Sequence, residues 1–196
     1  MSIAVIACGA LSGHIFDIVE RNELDVTVES IEPLFHNQPT EIAPAVEDAI
    51  KRLQPTHSQI AIAYADCGTY GELDSVCQYY GIKRLEGETC YDVFATAERV
   101  REEFEAIPGT YVLTDYLVKS FRRSVIQELG LDRYPHLRDD YFHSYERLLW
   151  LAQRQTPELL AAAQEVSEFI SLPLEIVHVG DRHLEEQLLA LIEESA

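Results

Sequence analysis

Apolar runs and amphipathic helical patterns alternate along the first half of the chain. Residues 3–7 and 59–65 are continuous apolar runs with branched side chains, as is typical of strands buried on both faces of a parallel sheet. Residues 25–31 alternate apolar and polar positions, which predicts a strand with one more exposed face. Residues 12–21 and 42–53 place apolar side chains at helical spacing, so each predicts a helix that packs on the strands.

The same alternation continues in the second half. Short strands are predicted at 82–85, 110–113 and 174–179, with helical patterns between them. Residues 131–171 keep a helical spacing, with breaks near Pro135 and Thr156-Pro157, and predict a helical segment before the last strand. The order of elements therefore predicts an α/β fold, a Rossmann-like and mostly parallel sheet with helices on both faces.

Length and composition favour one soluble domain. With 196 residues and no internal repeat or linker, we expect a single α/β domain over residues 1–196. No run approaches the roughly 20 apolar residues of a membrane span, and the first residues lack a signal-peptide pattern. We therefore expect a cytoplasmic protein without a membrane partner.

The charge balance is strongly acidic. Fifteen basic residues face 34 acidic ones, which gives a formal net charge of −19. Such a field repels phosphate backbones, so nucleic acid is excluded as a partner. A small-molecule substrate or a partner protein is compatible with this charge.

Three of the four cysteines follow predicted strands. Cys8 and Cys67 each end an apolar run, and Cys90 follows the strand predicted at 82–85. Ligand sites of open α/β sheets form at the carboxyl ends of strands, so we expect these thiols to converge. Cytosolic thiols stay reduced, which disfavours disulfides and leaves packing, metal binding or reactivity. Cys77 lies inside a helical pattern and is interpreted as a packing residue.

Thiolates are ligands for zinc and for iron–sulfur clusters. The sequence has no closely spaced C-x-x-C pair, so the fold itself must assemble the site from Cys8, Cys67 and Cys90. Three protein ligands with an open fourth position are typical of a catalytic zinc centre. His36, in a proline-bounded loop after a strand, is the candidate fourth ligand, although a histidine that only fixes its loop fits the sequence equally well.

Other residues near the cysteines suggest supporting chemistry. Asp66 precedes Cys67 and Tyr91 follows Cys90, so each is a candidate for proton transfer, with helix capping and ring packing as the alternatives. Glycines at three positions would let the backbone approach a ligand closely. None of them forms a dinucleotide fingerprint or a P-loop, so nucleotide binding is unsupported. These positions are Gly9, Gly68 and Gly71.

The segments that carry these residues resemble the uncharacterised domain-of-unknown-function family 1638. The similar stretches are A-C-G-A-L from Ala7, H-N-Q-P from His36, Y-A-D-C-G-T-Y-G-E-L-D from Tyr64, G-E-T-C-Y-D-V-F from Gly87, G-T-Y-V-L-T-D from Gly109 and L-G-L-D-R-Y-P-H-L-R-D-D-Y-F from Leu129. Some members are associated with corrinoid-dependent methyl-transfer systems, so the resemblance implies a corrinoid or methyl-transfer partner protein. It covers all four proposed metal ligands.

Three functional hypotheses follow. The first is a zinc-binding protein that acts as an enzyme of thiol or methyl-group transfer, with an iron–sulfur cluster as the alternative cofactor. The second is a non-enzymatic accessory that handles a metal or cofactor and docks onto a methyl-transfer or redox partner. The third is a redox-active Cys67 whose pKa is depressed at a helix N-terminus.

Overall fold

The structure is a computed structural model that describes residues 2–195. The chain forms two compact units, one from the residues up to Val93 together with those from Asp181 onward, the other from Phe94–Gly180. Each unit contains one three-stranded parallel sheet flanked by helices. The predicted α/β class with parallel strands is confirmed, in two sheets rather than one. The single-domain expectation stays a prediction that cooperative unfolding would test.

The strands and helices follow each other in regular alternation. The strands are β1 (Ile3–Cys8), β2 (Val26–Ile31), β3 (Gln59–Ala63), β4 (Thr110–Thr114), β5 (Arg147–Ala152) and β6 (Leu174–His178). The helices are α1 (Ser12–Arg21), α2 (Ile42–Leu53), α3 (Glu72–Tyr80), α4 (Cys90–Ala95), α5 (Ala97–Ala106), α6 (Asp115–Phe121), α7 (Arg138–Phe142), α8 (Pro157–Ile170) and α9 (Arg182–Ser195). Short 3-10 helices form at Pro33–Asn37, Pro39–Glu41 and Pro135–Leu137, and a π-helical turn at Arg122–Gln127 extends α6.

The first unit carries the sheet that positions the cysteines. Its strand order is β2-β1-β3, with all pairs parallel. The central strand β1 is buried from Ala4 to Cys8 because it has a neighbour on each side and helices against the sheet. A single parallel bridge between Ile62 and Arg84 continues the order beyond β3. The strand predicted at 82–85 is thus reduced to one bridge residue, which still aligns this segment with the sheet.

The second unit has the order β4-β5-β6, again parallel. Its core centres on Trp150, which is fully buried and packs with side chains of α6 and α8. The prediction of a helical segment over residues 131–171, broken only near Pro135 and Thr156-Pro157, is wrong because β5 lies inside this stretch. All six residues of β5 are buried, and a short, fully buried apolar run has no periodicity that separates strand from helix.

Two predicted helical regions can be compared with the structure. The helical pattern between residues 85 and 110 forms two helices, because Thr96 takes a φ of 68° between α4 and α5. The helix predicted over residues 42–53 is confirmed as α2. Within residues 2–195, none of the helices combines the length and the apolar character that a bilayer crossing requires.

Candidate thiol site at the carboxyl end of the first sheet

The register of β1 and β3 brings two cysteine segments to the same end of the sheet. Ala7 pairs with Ala63, so the next residues along the two strands, Cys8 and Tyr64, continue side by side. Cys67 follows three residues later in the loop that leaves β3. The convergence expected at the strand ends therefore comes from parallel pairing over five consecutive residue pairs.

Backbone hydrogen bonds join the Cys67 loop to the segment that leads to Cys90. The amide of Asp66 donates to the carbonyl of Gly87 over 3.1 Å, and the amide of Cys67 donates to Glu88 over 2.7 Å. Cys90 begins α4 two residues beyond Glu88. Two cysteines that are distant in sequence are thus fixed to each other through the main chain.

Asp66 holds the Cys67 loop in shape. Its carboxylate accepts hydrogen bonds from the amides of Gly68, Tyr70 and Gly71 over 3.1–3.2 Å and from the hydroxyl of Thr69. Desolvation opposes ionisation of Asp66, yet these hydrogen bonds lower its pKa overall. The loop keeps Cys67 at a φ of 51°, which is uncommon for a side chain with a Cβ. The structure thus gives Asp66 a role in loop geometry, and its predicted part in proton transfer stays a prediction.

The carboxylate of Asp92 holds the Cys90 segment in shape in the same way. Its carboxylate accepts from the amides of Glu88 and Thr89 over 2.8 and 2.9 Å and is almost fully buried. Gly87 faces it at a φ of 113°, where a Cβ would come within 2.9 Å of the Asp92 Cβ. The sequence analysis missed Asp92, although its position three residues after Thr89 is that of an acidic residue in the first turn of a helix.

The His36 loop lies between the two cysteine loops. A Cβ on Gly9 would approach the carbonyl oxygen of Ile31 to 2.4 Å and Cδ of Pro33 to 2.7 Å, so the turn after Cys8 touches the chain leaving β2. On the other side, a Cβ on Gly68 would lie 3.4 Å from Pro39. The close approaches of Gly9 and Gly68 are therefore to the protein's own chain. Ligand binding by these glycines stays a prediction.

His36 itself is fixed by its own loop. Its Nδ1 lies 2.7 Å from the carbonyl oxygen of Pro33. A carbonyl oxygen only accepts, so Nδ1 donates this hydrogen bond. His36 therefore has the loop-fixing role that the sequence analysis gave as the alternative. With Nδ1 used in this hydrogen bond, Nε2 is the ring nitrogen that could bind a metal.

The three thiols act on one another electrostatically. Burial raises the pKa of Cys8, and the nearby Tyr64 hydroxyl and the backbone amides of Ala10 and Leu11 lower it in part. Burial and then the charge of Cys8 raise the pKa of Cys67 to about 12. The pKa of Cys90 is also well above its usual value, because of burial first and then the charges of Cys67 and Cys8. Ionisation of one thiol would therefore disfavour ionisation of its neighbours, as expected for close groups in a poorly solvated site. The expected depressed pKa of Cys67 is wrong.

Tyr64 reaches these thiols from the strand end. The residue is 0% exposed, and within residues 2–195 its hydroxyl has no hydrogen-bond partner of normal geometry. Its neighbour is Cys8, whose sulfur is a weak acceptor as a thiol. Burial, followed by the charge of Cys8, raises the pKa of Tyr64 far above its usual range. The Oγ1 of Thr89, beside Cys90, is likewise buried without a described partner.

One cation lies beside the site. The guanidinium of Arg84 donates to Asp74 Oδ1 over 2.6 Å and to the carbonyls of Leu85 and Gly87 over 2.8 and 3.2 Å. It thereby fixes the segment between the sheet and Cys90. Its positive charge lowers the pKa of Cys67, although burial outweighs this effect.

The remaining predicted residues lie close by in the chain. Tyr91 is partly buried in the first turn of α4, and its role in proton transfer stays a prediction. Gly71 precedes α3 with a φ of 88°, and its amide donates to Asp66. Among the described side chains, no group of three or more His, Cys, Asp or Glu residues is arranged in a geometry that could hold a metal ion.

Comparison with known proteins gives one match. A family model described as protein of unknown function (DUF1638) matches residues 30–188. The matched range contains His36, Cys67 and Cys90, whereas Cys8 lies before it. No curated protein and no solved structure matches the chain.

Proposed function

We propose that this chain, which belongs to the DUF1638 family, is a metal-binding protein whose Cys8, Cys67 and Cys90 thiolates hold one zinc ion. The observation that carries the proposal is that three thiols from distant segments, with Cys8 buried and Cys67 and Cys90 partly buried, lie close enough to shift one another's pKa. The segments that carry Cys67 and Cys90 are each held in shape by an aspartate carboxylate, and main-chain hydrogen bonds join them. This fixed arrangement also supports the proposal. An iron–sulfur cluster is the alternative cofactor for the same three ligands.

The raised pKa values favour metal ligation over thiol redox chemistry. A thiol reacts as its thiolate, and the surroundings of Cys67 keep the group protonated at neutral pH. A divalent cation compensates both causes of the shift, since it supplies the lost solvation and attracts the three negative charges. Zinc binding would require all three sulfurs to reach the roughly 2.3 Å bonds that zinc forms with thiolates.

Three sulfur ligands leave the fourth tetrahedral position for another group. His36 Nε2 is one candidate, and the sulfur of a substrate thiol is the other. A substrate thiol bound there would lose its proton to solvent, and its sulfur could then attack the methyl carbon of a methyl donor, whose leaving group departs with the electron pair of the broken bond. This reaction is the enzymatic form of the proposal, and it implies a cytoplasmic location in which thiols stay reduced.

The depth of the site favours a second candidate function, that of a non-enzymatic accessory. Cys8 is 4% exposed and Tyr64 is fully buried, which leaves little room for a bulky substrate beside the metal. In this form the protein would carry its metal or cofactor to a methyl-transfer or redox partner.

Metal analysis of protein purified without oxygen tests the proposal. We expect one zinc per chain in the wild type, less than a tenth of that in Cys67→Ser, and a full zinc content in Cys77→Ser. Cys77 is the matched control because it is a buried cysteine of the same unit that lies in α3. Brown protein that contains iron and inorganic sulfide would identify the cluster instead. Wild-type protein that binds neither zinc nor iron after reconstitution would refute metal binding.

A further inference from the structure

The first sheet ends in an edge that no strand of residues 2–195 covers. Beyond β3, the sheet continues only through the bridge between Ile62 and Arg84. In this bridge the amide of Ile62 donates to the carbonyl of Lys83, and the amide of Leu85 donates to the carbonyl of Ile62, each over 3.0 Å. The groups that face β3 thus come from the two neighbours of Arg84. The main-chain N–H and C=O of Arg84 itself point to the opposite, open side, where an edge is a template for pairing with another chain.

A groove of about 750 Å³ follows this edge. It is lined by residues 82–86, by two residues of α3 and by one face of α9, all within the first unit. The α9 face extends from His183 to Glu194, which is about 16 Å along a helix that rises 1.5 Å per residue. A strand rises about 3.3 Å per residue, so the groove has room for roughly five residues of extended chain.

Gln187 of α9 indicates which chemistry the edge accepts. Its Oε1 accepts a hydrogen bond from the amide of Glu86 over 3.0 Å. Glu86 follows Arg84 by two residues, so its N–H belongs to the same open side of the segment. The side-chain amide of Gln187 therefore takes the position that the carbonyl of a neighbouring strand would have. At Arg84 the corresponding position is left for the amide groups of another chain.

The charges around the groove favour a basic occupant. Two cations line it, Lys83 and Arg84, and they pair with Glu194 and Asp74. Four exposed carboxylates line it, those of Asp74, Glu86, Glu186 and Glu194. A second copy of the chain would bring the same carboxylates and a formal charge of −19 to this edge, so like-charge repulsion disfavours self-pairing. An extended peptide with lysine or arginine side chains is attracted instead.

We propose that this groove binds an extended, lysine- or arginine-containing segment of a partner protein, which adds a strand beside Arg84. The main-chain N–H and C=O of Arg84 pair with the backbone of the segment. Its basic side chains contact the carboxylates of Glu86 and Glu186. In this mode of recognition the main-chain bonds supply affinity and the side chains supply selectivity. The surface is separate from the thiol site and does not depend on a metal there.

Three pools of fluorescein-labelled peptides test the proposal by fluorescence anisotropy with the full chain at low salt. The first pool has two lysines around five positions of valine or threonine, and we expect it to bind saturably. In the second pool glutamates replace the lysines. It should bind about tenfold more weakly, since each exposed ion pair changes an affinity by roughly two- to fivefold. The third pool keeps the lysines but carries N-methylated backbone amides, which cannot pair with a strand, and should not bind.

A variant that fills the groove locates the binding. Ala190 is an exposed residue of α9 that lines the groove, so Ala190→Trp should lower the affinity for the lysine pool at least about tenfold, the effect of blocking the main-chain pairing. Ala161→Trp is the matched control, because Ala161 is an exposed alanine of α8 in the second unit. This control should bind the lysine pool as wild type does.

Amide hydrogen exchange, measured by NMR, reports on the pairing itself. Saturation with the lysine pool should slow exchange of the Arg84 amide about tenfold or more, whereas the Ile62 amide, already paired, should change little.

Absence of saturable binding would refute the proposal, as would equal binding of the N-methylated or the glutamate pool. A wild-type dimer that Ala190→Trp abolishes, seen by sedimentation, would assign the groove to a second copy and also refute it. Zinc content is measured separately, so failure of this inference leaves the metal proposal standing, and the reverse also holds.

Discussion

Replacement of Gly9 by alanine tests how the chain after Cys8 approaches the chain leaving β2. An added Cβ would lie 2.4 Å from the carbonyl oxygen of Ile31, 2.7 Å from Cδ of Pro33 and 2.8 Å from its nitrogen. Unstrained carbon–oxygen contacts begin at about 3.3 Å, so the two segments would have to separate by nearly 1 Å. The obstructing atoms belong to backbone and to a proline ring, which cannot rotate away.

We expect Gly9→Ala to lower the free energy of unfolding by about 1–3 kcal/mol, the usual cost of overpacking a tight site. The shift should also weaken zinc binding, because it moves the residue next to Cys8. Urea unfolding followed by circular dichroism measures the first effect. The matched control is Gly13→Ala: Gly13 lies in α1, where a Cβ meets no described atom within 4 Å.

The control variant should change the free energy of unfolding in the opposite direction. Alanine in an exposed helical position stabilises by about 0.5–1 kcal/mol relative to glycine, so Gly13→Ala should unfold at higher urea than wild type. A Gly9→Ala protein as stable as wild type would show that the two chains are not in contact at Gly9. The placement of the His36 loop beside the turn after Cys8 would then lose its main support.

Two further predictions concern the thiols and the loop before Cys90. Since the pKa of Cys67 is raised to about 12 from about 8.5 in an unfolded chain, its contribution to the stability of the metal-free protein should be complete below pH 8 and lost between pH 9 and 12. Cys67→Ser should lose less unfolding free energy over that interval in pH-dependent urea titrations, and equal losses would contradict the burial of the thiol. Asp92→Ala should cost about 1–3 kcal/mol, because it leaves the amides of Glu88 and Thr89 without their acceptor, and should weaken zinc binding. Asp92→Asn, which keeps one acceptor oxygen, should lie between wild type and Asp92→Ala in urea midpoint, and three identical midpoints would refute the structural role of this carboxylate.

The grouping of the cysteines could be predicted because it depends on a general property of parallel sheets. Cys8 and Cys67 both follow buried strands, and neighbouring parallel strands end at the same edge. The side chains that complete the site could not be predicted in this way. Tyr64 has the sequence environment of an ordinary core aromatic residue, and only the register of β3 against β1 shows that it faces Cys8. Arg84 is placed by a single bridge, which leaves no pattern in the sequence.

The second unit shows where periodicity fails. Residues 147–152 form a buried strand, but their apolar run fits a buried helix equally well. The strand starts with Arg147, a residue untypical of a core, which is 5% exposed because its guanidinium donates to Glu103, Glu175 and Thr110. These partners come from three other elements, so the sequence around Arg147 contains no sign of them. The chain crosses between the two units twice, once within α4 between Val93 and Phe94 and once between Gly180 and Asp181.

X-ray absorption at the zinc edge is the most direct test of the central claim that three distant thiolates hold one ion. The account predicts three sulfur atoms at about 2.3 Å from zinc and one lighter ligand in the wild type, with two sulfurs in Cys67→Ser reconstituted at high zinc. A first shell made mainly of nitrogen and oxygen, with one sulfur or none, would contradict it.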